Sequence, residues 1–303
     1  MPTAHVNGVD LYYEVTGEGF PLIFSHEFAG DCRSWEPQVR FFSRLYRVIT
    51  YNDRGYPPSE VPKDPDAFSQ EASVEDLRQL LVHLKIPKAH IAGLSMGGNV
   101  TLNFGLAHPE MCSSLVVAGC GAGSTNRKQF EQDVETIASR LEKEGMPKVA
   151  ESYGAGPTRV QFRRKDPRGH HEFVEQLKGH DSLGSALTFR GVQLRRPTIF
   201  ALEEKLKALA VPTLILIGDE DEPCIEPAVF MKRLIPRSGL VVLPQSGHTV
   251  NLEEPDLFNR AVLDFLTAVQ AGKWAHRPTR SRRRPKSRRR PGLSATPSTG
   301  PPL

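Results

Sequence analysis

Gly93-Leu94-Ser95-Met96-Gly97 stands where an apolar run, residues 90–94, gives way to a segment of helical spacing, residues 96–108. A sharp turn from strand to helix leaves little room for side chains, and the glycines on either side of Ser95 supply that room. The turn lifts the serine hydroxyl to the amino end of a helix, where unpaired N–H groups favour negative charge that develops nearby. Ser95 is therefore the candidate nucleophile, and the Met96 N–H is a candidate oxyanion donor. A glycine-rich structural turn could carry the same five letters, so the reading depends on the strand before it and the helix after it.

Further short apolar runs lie on both sides, at residues 9–15, 22–25, 46–51, 114–118, 213–217 and 240–243. Asn7-Gly8 and Gly17-Glu18-Gly19 supply turn signals. Several of the runs are continuously apolar, which suits parallel strands covered on both faces. Between them come helical patterns such as Val74, Leu77, Leu80, Leu81 and Leu84, closed by Pro87. Alternating strand and helix predict an α/β fold, a mainly parallel sheet flanked by helices with its site at the carboxyl ends of the strands.

After Gly123 the alternation stops. Residues 124–205 carry helical patterns without a clear strand and read as an inserted helical lid, with helices expected at 127–143 and 171–177. Residues 159–169 are too polar and too interrupted by proline to assign. The expected division is a core of residues 1–123 and 206–272, the lid at 124–205, and a basic Arg/Pro-rich tail at 273–303. The tail's composition cannot bury a core and predicts disorder.

Composition bounds the function. A chain of 303 residues, 39% hydrophobic, can enclose one sizeable core. Ten of the 39 basic residues lie in 273–303, which leaves 29 against 35 acidic residues in the body, a net charge of −6. Such a body offers no reason to expect nucleic acid at the site. Tails of this kind sometimes contact nucleic acid or anionic membrane and more often stay solvated. Cys32, Cys112, Cys120 and Cys224 are scattered without C-x-x-C spacing and read as thiols in a reducing compartment. With no basic-then-apolar leader and no run long enough to cross a bilayer, a cytoplasmic location is expected.

Near the other end, Ser246-Gly247-His248-Thr249 follows the last apolar run and precedes an amphipathic helix. A serine hydroxyl needs a base whose pKa lies near the operating pH, and histidine is the side chain that meets this requirement unperturbed. Two carboxylates, Asp219 and Asp221, follow the run at 213–217. Leu22-Ile23-Phe24-Ser25-His26-Glu27-Phe28 and Asn52-Asp53-Arg54-Gly55-Tyr56-Pro57-Pro58-Ser59 complete the set. With these motifs, and with the order Ser95, Asp221, His248, the chain resembles the α/β-hydrolase superfamily over about residues 5–270. The resemblance is to the capped branch that contains enol-lactone hydrolases, cofactor-free haloperoxidases and epoxide hydrolases.

The resemblance implies a triad of Ser95, His248 and Asp221, the acid lying three residues beyond Gly218, with Asp219 left to cap the turn. It implies a second oxyanion donor, the Phe28 N–H, in a His-Gly-x loop. Here Glu27 replaces the usual glycine, and Asn52 and Pro57 replace the usual Asp and Gly. A solvated or Arg-paired structural role is expected of Glu27, the alternative being that it steers substrate or acts as an extra acid or base. His26, in the oxyanion loop, is expected to make structural hydrogen bonds. Metal binding by the adjacent His170 and His171 fails on spacing, so no metal and no cofactor is expected.

Serine at the turn sets aside the aspartate-nucleophile mechanisms of dehalogenases and epoxide hydrolases. No HGGPG segment occurs and no tryptophan directly follows His248, which argues against iminopeptidase and carbon–carbon hydrolase activities. The expected function is cleavage of a carboxylic ester or lactone of a small, apolar metabolite through an acyl-enzyme. The alternatives are cofactor-free perhydrolysis and non-catalytic binding of a hydrophobic ligand. Tyr153, Phe162, Phe173 and Phe189 either line an apolar pocket or form the lid's own core.

Overall fold

The computed structural model describes residues 2–275. Eight strands form in chain order: β1 (Thr3–Val6), β2 (Val9–Thr16), β3 (Phe20–Ser25), β4 (Tyr46–Tyr51), β5 (Ala89–Leu94), β6 (Cys112–Ala118), β7 (Thr213–Gly218) and β8 (Ser238–Leu243). They join one sheet in the order β1-β2-β4-β3-β5-β6-β7-β8. β2 runs antiparallel to β1 and β4, and every other pairing is parallel. β1 is the strand the apolar pattern misses; its four residues pair with β2 across the Asn7-Gly8 turn.

The described residues form twelve α-helices: α1 (Glu36–Phe42), α2 (Gln70–His83), α3 (Met96–Ala107), α4 (Arg127–Glu144), α5 (Met146–Gly154), α6 (Val160–Lys165), α7 (Pro167–Lys178), α8 (Ser182–Thr188), α9 (Glu203–Ala208), α10 (Glu222–Leu234), α11 (Val250–Glu253) and α12 (Pro255–Gln270). The continuous apolar runs are explained by cover on both faces. Ile23, Ile91, Ile215 and Ile217 pack with Leu77 and Leu80 of α2, Leu102 and Phe104 of α3 and Met231 of α10. Their strand neighbours Leu22, Phe24, Ala92, Leu214 and Leu216 pack on the opposite side with Trp35, Phe42 of α1 and Val262 and Phe265 of α12. Successive side chains of a strand point to opposite faces, so a run buried on both needs no polar alternation.

Between β6 and β7 the chain makes α4 to α8, followed by one π turn, Phe189–Gln193. Residues 159–169, unreadable from their polarity, form α6 and the start of α7. The proline that looks like an interruption opens α7, with the Asp166 side chain accepting from the Gly169 N–H as its cap. A third apolar cluster joins Val134, Ala138, Leu141, Phe162, Phe173 and Phe189 to Phe28, Tyr56 and Phe68 of the core loops and Met96 at the start of α3. Ile199, Leu202 and Leu206 instead pack beneath the sheet, and α9 spans residue 205. We propose that the lid ends before Ile199.

The carboxyl end departs from expectation. Trp274 packs edge-on against Phe265, ring centroids 4.7 Å apart, and its indole N–H donates to the Arg237 carbonyl at 2.7 Å. We propose that the body continues past Gly272; the rest of the expected tail lies outside the described residues. Truncation after Ala275 is expected to leave turnover and melting temperature unchanged, whereas truncation after Gly272 should cost about 1–2 kcal/mol through the lost tryptophan. Thermal melts of the two truncations check this. Among the described residues all four cysteines are free and buried, and no helix is long and apolar enough to cross a membrane.

Candidate active site

Ser95 sits between β5 and α3 with φ 56° and ψ −108°, a sparsely populated backbone state for a residue with a side chain. The turn is tight because backbones meet there: a Cβ on Gly93 would lie 2.1 Å from the Gly97 carbonyl oxygen, and one on Gly97 2.1 Å from that of Ser25. The Ser95 N–H donates to the Ala118 carbonyl at 2.8 Å. The Ser95 carbonyl accepts from the Asn99 N–H at 2.9 Å and from its side-chain amide at 3.0 Å. In a trans peptide the N–H lies opposite the C=O. With that carbonyl turned into the helix, the Met96 N–H points out of the helix start, and among the described residues it has no protein acceptor.

The same logic orients the loop after β3. His26 Nδ1 lies 2.7 Å from the Glu27 carbonyl oxygen, and its Nε2 accepts from the Asp53 N–H at 3.0 Å. A carbonyl only accepts and an amide N–H only donates, so the ring is neutral with its proton on Nδ1. Burial agrees, pushing His26 down to about 4. The Glu27 carbonyl also accepts from the Gly30 N–H at 3.1 Å. Held at both lone pairs, it turns the Phe28 N–H the other way, and that amide too has no protein acceptor among the described residues. Phe28 is buried, its ring 3.7 Å from that of Phe189 of the lid.

Two departures from the family pattern find local causes. Asn52 accepts from the Cys32 N–H at 2.9 Å and donates to the Pro57 carbonyl at 2.9 Å, a donor role that an aspartate lacks. Glu27 is 2% exposed and paired with Arg159 of the lid, Nη1 to Oε1 at 3.1 Å and Nη2 to Oε2.

Asp221 occupies the turn between β7 and α10, and His248 the loop after β8. Their side chains meet, His248 Nδ1 to Asp221 Oδ2 at 2.8 Å, both buried. Asp219 instead accepts from the Ser246 N–H at 3.1 Å. The histidine loop is pinned by Glu253, which accepts from the Gly247 N–H at 2.8 Å and the Thr249 N–H at 3.1 Å. A Cβ on Gly119 would lie 3.4 Å from His248 Cε1, so the imidazole rests beside the end of β6, next to the carbonyl that anchors Ser95. With Nδ1 donating to the carboxylate, Nε2 of a neutral ring keeps its lone pair free, as a candidate base requires.

Burial by itself would lower the imidazole pKa and raise that of the carboxyl. The charge and hydrogen bond across the pair override it in both, leaving His248 above 6.5 and Asp221 below its ordinary value. A general base works unprotonated, so activity is expected to fall as pH drops through the raised His248 value. The acid limb of kcat/KM for a non-ionising ester should therefore lie above pH 6.5. A limb at or below that point would contradict the coupling.

Asp221, Cys224 and His248 also bring three donor atoms within 4.8 Å of one another. Burial and the nearby Asp221 push the Cys224 thiol well above its ordinary value, and its Sγ lies 3.3 Å from the Gly119 carbonyl. A protonated thiol and a hydrogen-bonded imidazole fit a metal ion poorly. Sequence reasoning misses Arg159 and Glu253. The glutamate in place of glycine at position 27 is the signal for a cationic partner, but nothing local says which cation answers it.

An eight-stranded α/β sheet, a strained serine turn at its centre and the acid-base pair beyond it define a class. Residues 21–255 match the model of the alpha/beta hydrolase fold family, and the chain belongs to that family. It is 27% identical over 266 residues to 3-oxoadipate enol-lactonase 1 of Acinetobacter baylyi, spanning 87% of this chain and 95% of the relative. Among solved structures it is similar to a thermophilic esterase from Thermogutta terrifontis, with 28% identity and a TM-score of 0.80 over 89% of this chain and 99% of the other. It is likewise similar to the enol-lactonase from Burkholderia xenovorans LB400, with 25% identity and a TM-score of 0.77 over 88% and 100%.

Proposed function

We propose that this chain hydrolyses a carboxylic ester or lactone of a small, largely apolar metabolite through an acyl-enzyme on Ser95. The observation that carries the reading is the buried His248–Asp221 pair beside a serine turn flanked by two unpaired amides. The Ser95 oxygen attacks the carbonyl carbon as its proton passes to His248 Nε2. The carbonyl electrons move to oxygen, which the Phe28 and Met96 N–H groups stabilise. The C–O bond then breaks and His248 protonates the departing alkoxide, which stays tethered when the substrate is a lactone. Water, deprotonated by the same base, releases the acid and restores Ser95. Phe28, Tyr56, Met96 and Phe189 make the surroundings apolar, which favours an uncharged acyl portion. Relatives with enol-lactonase and esterase names support the same class of bond.

Fluorophosphonate labelling followed by an ester and lactone panel tests the reading. Labelling of Ser95 with turnover of at least one substrate is expected. Labelling absent and turnover nil would favour a ligand-binding protein, and peracid formation faster than hydrolysis when peroxide is supplied would favour perhydrolysis.

A further inference from the structure

Arg159 is a lid residue 132 positions from Glu27 and 90 positions from Thr249. It is nonetheless 2% exposed, and its guanidinium touches both. Two of its nitrogens hold the Glu27 carboxylate, and Nη1 also donates to the Thr249 hydroxyl. The preceding lid residue adds a backbone tie, the Thr158 carbonyl accepting from the His248 N–H at 3.0 Å. Tyr153 and Phe173 enclose the guanidinium, their ring centroids 5.8 Å and 5.0 Å from its carbon. Two consecutive lid residues thus bridge the loop that carries the Phe28 amide and the loop that carries the base.

We propose that Arg159 is a positioning residue: it latches the lid to the Glu27 and His248 loops, so that lid closure, the oxyanion amide and the base are set as one unit. The inference deepens the hydrolase reading and rests on it for its catalytic part. Its physical basis is the cost of a carboxylate at position 27. An uncompensated negative charge beside the oxyanion loop opposes the charge that develops on the substrate oxygen, and a buried carboxylate without a partner is itself expensive. Arg159 cancels that charge, and its planar fork fixes the geometry of both loops as it does so.

The ionisable groups around His248 are Asp221 and Cys224 from the β7–α10 turn and α10, Glu27 from the oxyanion loop, Arg159, Tyr153 and Lys165 from the lid, and Glu253 at the end of α11. Among them Glu27 favours and Arg159 opposes protonation of the imidazole. Removing the carboxylate's charge alone therefore leaves an unopposed cation, which moves the acid limb of kcat/KM toward lower pH.

Two single variants of the full chain and their combination decide the matter. Arg159→Gln is expected to speed amide hydrogen exchange at residues 26–30 and 246–250 together and to lower kcat about 100-fold with little change in KM. Glu27→Gln is expected to shift the acid limb downward by about 0.5 pH unit, and Glu27→Gln with Arg159→Gln to return it. A purely structural contact would leave that limb in place. Wild-type exchange at both loops in Arg159→Gln, or an unmoved limb in Glu27→Gln, overturns the proposal. Should Arg159→Gln fail to fold, Glu27→Gln, whose amide still accepts from Arg159, carries the test. Should the wild-type chain turn over no ester or lactone, the hydrolase reading falls by itself, and the exchange measurement still decides the latch.

Discussion

Ser95→Ala is expected to lower kcat/KM for any substrate of this chain by about 10⁴- to 10⁶-fold and to abolish fluorophosphonate labelling. The turn loses one hydroxyl and nothing else. Its backbone contacts, Ser95 N–H to Ala118 and Ser95 carbonyl to Asn99, do not involve the side chain, so the melting temperature should be unchanged. What remains above the rate in water comes from the Phe28 and Met96 amides. Ser95→Gly provides a second check on the same site. Alanine keeps the cost of φ 56°, whereas glycine relieves it, so the glycine variant should be inactive but about 1 kcal/mol more stable. Steady-state kinetics with matched thermal melts measure both, and full activity in the alanine variant would reject Ser95 as nucleophile.

Asp221→Asn is expected to cut kcat by about 10⁴-fold. The carboxylate holds the proton on His248 Nδ1 across 2.8 Å. An asparagine that turns its amide toward the ring offers a donor in place of an acceptor, which forces the proton to Nε2 and blocks the base. The same substitution removes the cause of the raised His248 value. Asp219→Asn makes the opposite kind of change: its remaining carbonyl oxygen still accepts from the Ser246 N–H, so the expected cost is at most about 1 kcal/mol of stability with little loss of rate. If kinetics return the reverse ranking, the acid is Asp219 and the turn after β7 rearranges during turnover.

Much of the architecture was legible because it rests on short-range signals. Short apolar runs, several of them continuous, marked seven of the eight described strands, and β1 escaped because four residues of alternating burial are too short a pattern to stand out. In the lid, α4 and α7 could be read from their apolar spacing. α6 could not, because Val160–Lys165 buries only Phe162 and ends in Arg163, Arg164 and Lys165. The candidate site divides in the same way. Ser95 and the Met96 amide follow from one strand-to-helix turn, while the partner of Glu27 lies in a polar lid segment with no periodicity to mark it.

The sequence alone determined the parallel α/β class, the serine turn, the chain order of the candidate residues Ser95, Asp221 and His248, and the anomaly of a glutamate in the loop after β3. These are written in periods of two and 3.6 residues and in the steric demands of a few glycines, which operate within a handful of positions. Only the tertiary structure decided that Asp221 and not Asp219 reaches His248, that Glu27 is paired with Arg159, that the lid aromatics share a core with Phe28 and Tyr56, and that Trp274 packs on Phe265. Each of those is a contact between segments far apart in the chain. Such contacts are selected by packing and by the need of buried charges and amides for partners, and no local pattern records which distant residue will supply them.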